Sequence, residues 1–258
     1  MKIHTRIALT LSTLLALAAG PSLAGPVGAV KNIVLVHGAY ADGSGWAAVY
    51  RLLTSDGYRV TGVQNPLTSL DDDVATVSRV LARQDGPVLL VGHSYGGAVI
   101  TQAGVDPKVV GLVYVAAFEP AVGESALKWA ISEPPAPENG ILPPDAAGFS
   151  YYDPAKFHAG FAADSSAELA DFMAASQIPV SIKALGAPLT AAAWTTKPSW
   201  GIVATEDKSI NPSIERAMYT RAKTTISEIP GSHTIYISQP KAVATVIEQA
   251  AEQLSSAQ

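Results

Sequence analysis

None of the 258 residues is cysteine. That absence excludes a disulfide framework and the lipid-modified cysteine of a bacterial lipoprotein. Charge is sparse: 17 Lys and Arg against 22 Asp and Glu leave a net charge of −5. With no basic cluster in the chain, nucleic acid and anionic membrane surfaces are poor partners. After the N-terminal segment there is no second apolar run long enough to span a bilayer. Neither an internal repeat nor a second domain is visible. The stretch from Gly38 to Gly45 is faintly like a phosphate loop, but Ser44 stands where that loop needs lysine, which excludes nucleotide binding there.

The N-terminus has the pattern of an export signal. Lys2 and Arg6 form a positive region, Ile7 to Ala19 is apolar, and Ser22-Leu23-Ala24 offers small residues at the positions a signal peptidase reads. We therefore expect residues 1–24 to be removed and the protein to be periplasmic or secreted, with no membrane attachment afterwards. Residues 25–258, 234 in number with a net charge of −7, suffice for one α/β domain that needs no covalent staples. Nothing in this composition excludes a homodimer.

Within that domain, short apolar runs alternate with helical patterns. Lys31 to Val36, Tyr58 to Val63, Pro87 to Val91, Val109 to Ala116, Ser199 to Ala204 and Thr224 to Ile229 read as strands. Helices are expected at about 44–55, to about 83 after a cap at Thr68 or Ser69, to about 104, to about 221 and over about 239–254. This alternation predicts a mostly parallel sheet covered on both faces. Asp71, Asp72 and Asp73 fall in a first helical turn, where the dipole favours anions. A metal site is the sharper reading of that run, but adjacent helical residues point in different directions. Residues 119–197 break the rhythm: they hold half of the 18 prolines, scattered aromatics and no convincing buried strand. A structureless loop of that length is improbable in a compact domain, so a small helical cap is expected.

The chemistry centres on Gly92-His93-Ser94-Tyr95-Gly96-Gly97, set between a buried strand and a helix. That is the context of a G-x-S-x-G nucleophile elbow, where side chains at Gly92 or Gly96 would collide with neighbouring backbone. Serine needs a general base, and the base needs a carboxylate to fix its tautomer. Asp207 follows one late strand and His233 follows the last, giving the order Ser, acid, His at the converging C-terminal ends of parallel strands. Glu206 is the rival acid. His37 and His93 flank glycines at tight turns, where they are better suited to shaping the oxyanion region than to acting as bases. The oxyanion donors should be the backbone amides of Tyr95, just after the nucleophile, and Ala39, in the loop after the first strand. Gly38 leaves room for substrate to reach Ala39.

These motifs, with His37-Gly38-Ala39, Thr205-Glu206-Asp207-Lys208 and Gly231-Ser232-His233, make nearly all of residues 31–254 similar to an α/β-hydrolase. The group resembled is that of the plant esterases and hydroxynitrile lyases, including the salicylate-ester hydrolases and their bacterial relatives. The resemblance implies an α/β-hydrolase fold with a helical cap and catalysis without a cofactor or a metal. Lyases of the group resemble one another in having threonine at the place of Gly38 and lysine at the place of Thr234. Their absence here favours an esterase acting on small apolar carboxylic esters. The alternatives are a carbon–carbon lyase on the same triad and a binding protein that keeps the pocket without turnover. Gly38, Trp129, Phe157, Phe161 and Thr234 are the expected substrate-pocket residues.

Overall fold

A computed structural model describes Met1 and residues 29–256; the expected export signal, residues 1–24, lies outside the described residues apart from Met1. In chain order the elements begin with β1 (Asn32–Val36), a 3-10 turn (Gly43–Trp46), α1 (Ala47–Ser55), β2 (Arg59–Val63) and α2 (Leu70–Ala82). They continue with β3 (Val88–Ser94), α3 (Gly96–Ala103) and β4 (Val109–Ala117). A cap follows, made of α4 (Ala126–Ala130), β5 (Phe149–Ser150), α5 (Pro154–Phe161), α6 (Ala167–Ser176), β6 (Val180–Ser181) and α7 (Ile182–Gly186). The core resumes with β7 (Ser199–Ala204), α8 (Pro212–Ala222), β8 (Thr225–Ile229), α9 (Ile235–Ser238) and α10 (Pro240–Ser256).

The six long strands form one sheet in the order β2-β1-β3-β4-β7-β8, and every paired neighbour is parallel. Alternation along each strand divides the core in two. Ile33, Leu35, Leu89, Val91, Val113 and Val115 face one side, with residues of α1 and α10. Val34, Val36, Leu90, Leu112 and Tyr114 face the other, with residues of α2, α3 and α8. Each such fully buried aliphatic side chain contributes about 1.5–3 kcal/mol through water exclusion alone. β3 lies between β1 and β4 and is buried throughout, so its C-terminal residue, Ser94, emerges mid-sheet among converging loops.

Local chemistry explains the element ends. Ser69 is the cap of α2, its hydroxyl accepting from the Asp72 amide at 3.1 Å. The aspartate run divides: Asp71 and Asp72 are exposed, whereas Asp73 turns inward and is fully buried. Its Oδ1 accepts from the Leu67 amide at 2.8 Å and its Oδ2 from the Tyr95 hydroxyl at 2.8 Å. The helix expected from Ser44 starts instead as the 3-10 turn, because Asp42 accepts from the Ser44 amide at 2.7 Å and holds a tighter entry. The cap is helical, and it also contains the two-residue antiparallel pair β5-β6 and a bridge between Ile141 and Tyr152. Among the described residues no helix is long and apolar enough to cross a membrane.

Candidate active site

Ser94 is held with φ at +53°, a left-handed conformation costly for a residue with a Cβ. Its neighbour across the sheet is irregular too: the β3–β4 register shifts between His93 and Ser94, and Ala116 has φ +44°. The turn is possible because a Cβ on Gly92 would meet Gly96 O at 2.6 Å, and one on Gly96 would meet the Val36 and His37 carbonyls at 2.8 Å. Elbow and β1 therefore touch backbone to backbone. α3 starts immediately after Tyr95, so its N-terminal end faces the space above Ser94.

Ser94, His233 and Asp207, 139 and 26 residues apart in steps along the chain, converge in one hydrogen-bonded line. The Ser94 hydroxyl lies 2.9 Å from His233 Nε2, and His233 Nδ1 lies 2.6 Å from Asp207 Oδ2. With Nδ1–H donating to the carboxylate, Nε2 presents a lone pair to the serine proton. The other oxygen of Asp207 accepts from the amides of Ser209 at 2.7 Å and Ile210 at 2.9 Å. Only 6% of Ser94 and 1% of His233 is exposed, so the pair works in a nearly dry setting. Glu206, in contrast, is exposed.

Two further histidines, His37 and His93, hold the frame. His37 Nδ1 donates to Gly38 O at 2.8 Å, while its Nε2 accepts from the Asn65 amide at 2.9 Å; burial holds this imidazole below its ordinary pKa, in the neutral form. The loop that carries Gly38 and Ala39 is thereby tied to the turn after β2. His93 Nε2 donates to the carbonyl of His233 itself at 3.0 Å, and burial lowers its pKa well below the ordinary value. Its ring packs against His233 at 4.7 Å between centroids.

A cavity of about 570 Å³ opens over Ser94 and His233. Ala39 and Tyr95, the expected oxyanion donors, both line it, and the Tyr95 side chain is drawn away to Asp73. Its walls are mainly apolar, with Phe118, Leu127, Ile131, Phe161, Leu185 and Ile214 prominent. Among the described residues neither lysine nor arginine lines it; the acidic side chain there is Glu133. Among the described residues no three His, Cys, Asp or Glu side chains cluster in a way that could hold a metal ion.

Of the five expected pocket residues, Phe161 lines this cavity and the other four do not. Trp129 is half-buried against the cap core, its indole N–H donating to Glu124 at 2.8 Å and the Arg221 guanidinium over its ring. Phe157 is fully buried, packed on Tyr152 and Phe161 behind the wall. Thr234 is buried with its hydroxyl toward Ser232. Gly38 lies under the elbow: a Cβ there would sit 2.6 Å from that of Ser94. Tyr40 is a lining residue that the sequence does not flag. It has φ +59°, and its amide and hydroxyl bond to Ile178 and Ser150 of the cap.

A strained serine on a strand–turn–helix, backed by histidine and aspartate on a parallel sheet, defines the serine-hydrolase class of α/β fold. Residues 33–246 match the alpha/beta hydrolase family, and the chain belongs to that family. It is 35% identical over 107 residues to the pyrethroid hydrolase of Sphingobium wenxiniae, a match covering 36% of this chain and 38% of that relative. The aligned segment thus spans less than half of the relative's length. The crystal structure of a pyrethroid hydrolase from Sphingobium faniae superposes with a TM-score of 0.74 at 25% identity, covering 86% of this chain and 98% of the other. Polyneuridine aldehyde esterase, with a TM-score of 0.75 at 20% identity over 86% of this chain and 99% of its own, shares the fold.

Proposed function

We propose that this chain is an exported serine hydrolase that cleaves small, neutral, apolar carboxylic esters through an acyl-enzyme. The observation that carries the reading is the line Ser94, His233, Asp207 at the floor of an apolar cavity, with 2.9 and 2.6 Å between its members. His233 takes the Ser94 proton as the hydroxyl attacks the ester carbonyl, and Asp207 stabilises the imidazolium that forms. The Ala39 and Tyr95 amides meet the charge that develops on the carbonyl oxygen. His233 then returns the proton to the departing alcohol, and water repeats the sequence on the acyl group.

Cavity size and lining bear on the substrate. A volume of about 570 Å³ suits a ligand of drug-like size. Glu133 and the lack of lysine or arginine among the described wall residues disfavour anionic acids. Relatives named for pyrethroid hydrolysis support hydrolysis as the reaction class. Export rests on the N-terminal pattern alone; N-terminal sequencing of protein recovered from the periplasm or medium tests it, with Gly25 expected as the first residue.

The activity is tested with a fluorophosphonate probe and a panel of aryl esters of increasing acyl length. We expect wild-type protein to be labelled and to turn over short-chain esters. Ser94→Ala should lose the label, and Ser94→Ala and His233→Ala should each lower kcat by about 10⁴-fold or more with folding unchanged. Wild-type protein that is neither labelled nor hydrolytic would move the chain to the class of silent binding proteins.

A further inference from the structure

Glu215, in the first turn of α8, is fully buried, and neither of its carboxyl oxygens meets a hydrogen-bond donor. An ionised carboxylate in that position would be poorly compensated, with only the Ala204 backbone and the charge of Arg216 favouring it, and folded proteins avoid that state by keeping the group neutral. The neighbour that bears on it most is Asp207, the acid of the catalytic line. Burial first, and then the charge of Asp207, hold the Glu215 carboxyl well above the usual carboxylate range. The remaining titratable groups around it are Arg216, which turns outward to Glu228, and Tyr219, one turn on, whose hydroxyl donates to Ala117 O. Neither supplies the missing donor.

Asp207 has the complementary vacancy. A carboxylate offers about four acceptor sites. Two amides occupy Oδ1, and His233 takes one site on Oδ2, leaving a lone pair free. A neutral carboxyl has one proton to give, and the Asp207 carboxylate is the acceptor that bears on it most strongly.

We propose that Glu215 is a positioning residue: held as a neutral acid, it donates its proton to the Asp207 carboxylate and so fixes the oxygen that orients His233. The inference rests on the ester-hydrolase reading for its consequence, though not for the proton's location. The pair carries one negative charge, shared behind the imidazole. Removing the donor frees the Oδ2 side of Asp207 to rotate, and His233 loses part of its hold on the correct tautomer. Substrate binding is untouched, since Glu215 does not line the cavity.

Two measurements decide it. The first is the infrared difference spectrum of wild type minus Glu215→Gln at pH 7, which should contain a protonated-carboxyl band; its absence overturns the proposal. That readout needs no turnover, so it stands even where the ester-hydrolase reading fails. The second compares Glu215→Gln, which keeps a donor, with Glu215→Leu, which has none. Glu215→Gln should retain ester turnover within about threefold, whereas Glu215→Leu should lose at least about tenfold in kcat at unchanged KM. Equal turnover in the two variants overturns the positioning role. Where Glu215→Leu fails to fold, the spectrum of the glutamine variant still decides where the proton resides.

Discussion

Asp164, a carboxylate of the cap, accepts hydrogen bonds from both the amide, at 2.9 Å, and the hydroxyl of Ser232, the residue before His233. It also accepts from the Ser238 hydroxyl at 2.7 Å, at the far end of α9. The cap thus holds the histidine loop from both sides. Burial raises the Asp164 pKa, but the bonds from Ser232 and Ser238 outweigh it and the net direction is down. The grip is therefore complete above the ordinary carboxylate range and is lost only as pH falls through the lowered value. Asp164→Ala leaves the Ser232 donors unpaired, and we expect kcat/KM to fall about 10- to 100-fold, in line with 1–3 kcal/mol for such a loss. Steady-state kinetics at pH 7 check this; activity within twofold of wild type would show that the loop holds itself.

Asp207→Asn should be severely impaired, because an amide can support the wrong imidazole tautomer. We expect a loss of about 10⁴-fold in kcat, while Glu206→Gln, at an exposed side chain, stays near wild type. A kinetic comparison of the two variants on one aryl ester is sufficient. Reversed effects would make Glu206 the orienting acid.

A buried carboxyl outside the catalytic line contributes to the pH dependence of stability. Glu119 follows the last residue of the cavity wall on β4's exit, and burial pushes its carboxyl up to about 8 from an ordinary 4.5. The Thr224 hydroxyl, at 2.9 Å from both oxygens, opposes the shift only in part. Because the folded form binds this proton more tightly than the unfolded chain, the stabilisation is full below 4.5 and lost as pH rises to about 8. Asp73, raised to about 6 by burial, acts in the same direction over a narrower window. The denaturation midpoint should therefore decline between pH 5 and 8, each group contributing at most about 1.4 kcal/mol per pH unit. Glu119→Gln should flatten the upper part of that decline; an unaltered slope would locate the proton elsewhere.

The sheet and the hydrogen-bonded line Ser94, His233, Asp207 are legible in the sequence for physical reasons. Parallel strands buried on both faces leave unbroken apolar runs, as in Val88 to Val91, and an elbow leaves glycines where backbone meets backbone, as at Gly92 and Gly96. The cap was legible only as a cap. Its helices are short, α4 and α7 having five residues each, so no periodicity marks which aromatics face inward. Trp129 and Phe157 had no signal separating wall from ligand contact, and both belong to the wall's backing. Asp164 and Glu215 are single carboxylates without a motif, and only folding brings them to Ser232 and Asp207.

A Ser-His-Asp line of this kind serves either ester cleavage or cyanohydrin cleavage, and the charge that develops separates the two. In ester cleavage, charge develops on a carbonyl oxygen, beside Ala39 and Tyr95 at the cavity floor. In cyanohydrin cleavage it develops on departing cyanide, which needs a cation. Among the described residues neither lysine nor arginine lines the wall, and Thr234 is buried away from the cavity with its hydroxyl toward Ser232. We therefore expect hydrolysis of p-nitrophenyl acetate and no cyanide release from mandelonitrile above the uncatalysed rate. Gly38→Thr would bring a Cβ to 2.6 Å from that of Ser94, so it should displace the elbow or the oxyanion loop and depress esterase activity. Adding Thr234→Lys to Gly38→Thr should move the site toward lyase chemistry only if the lysine reaches past the Ser232 side to the cavity. Rapid cyanide release by the wild-type protein, with aryl esters left intact, would replace the esterase reading with the lyase.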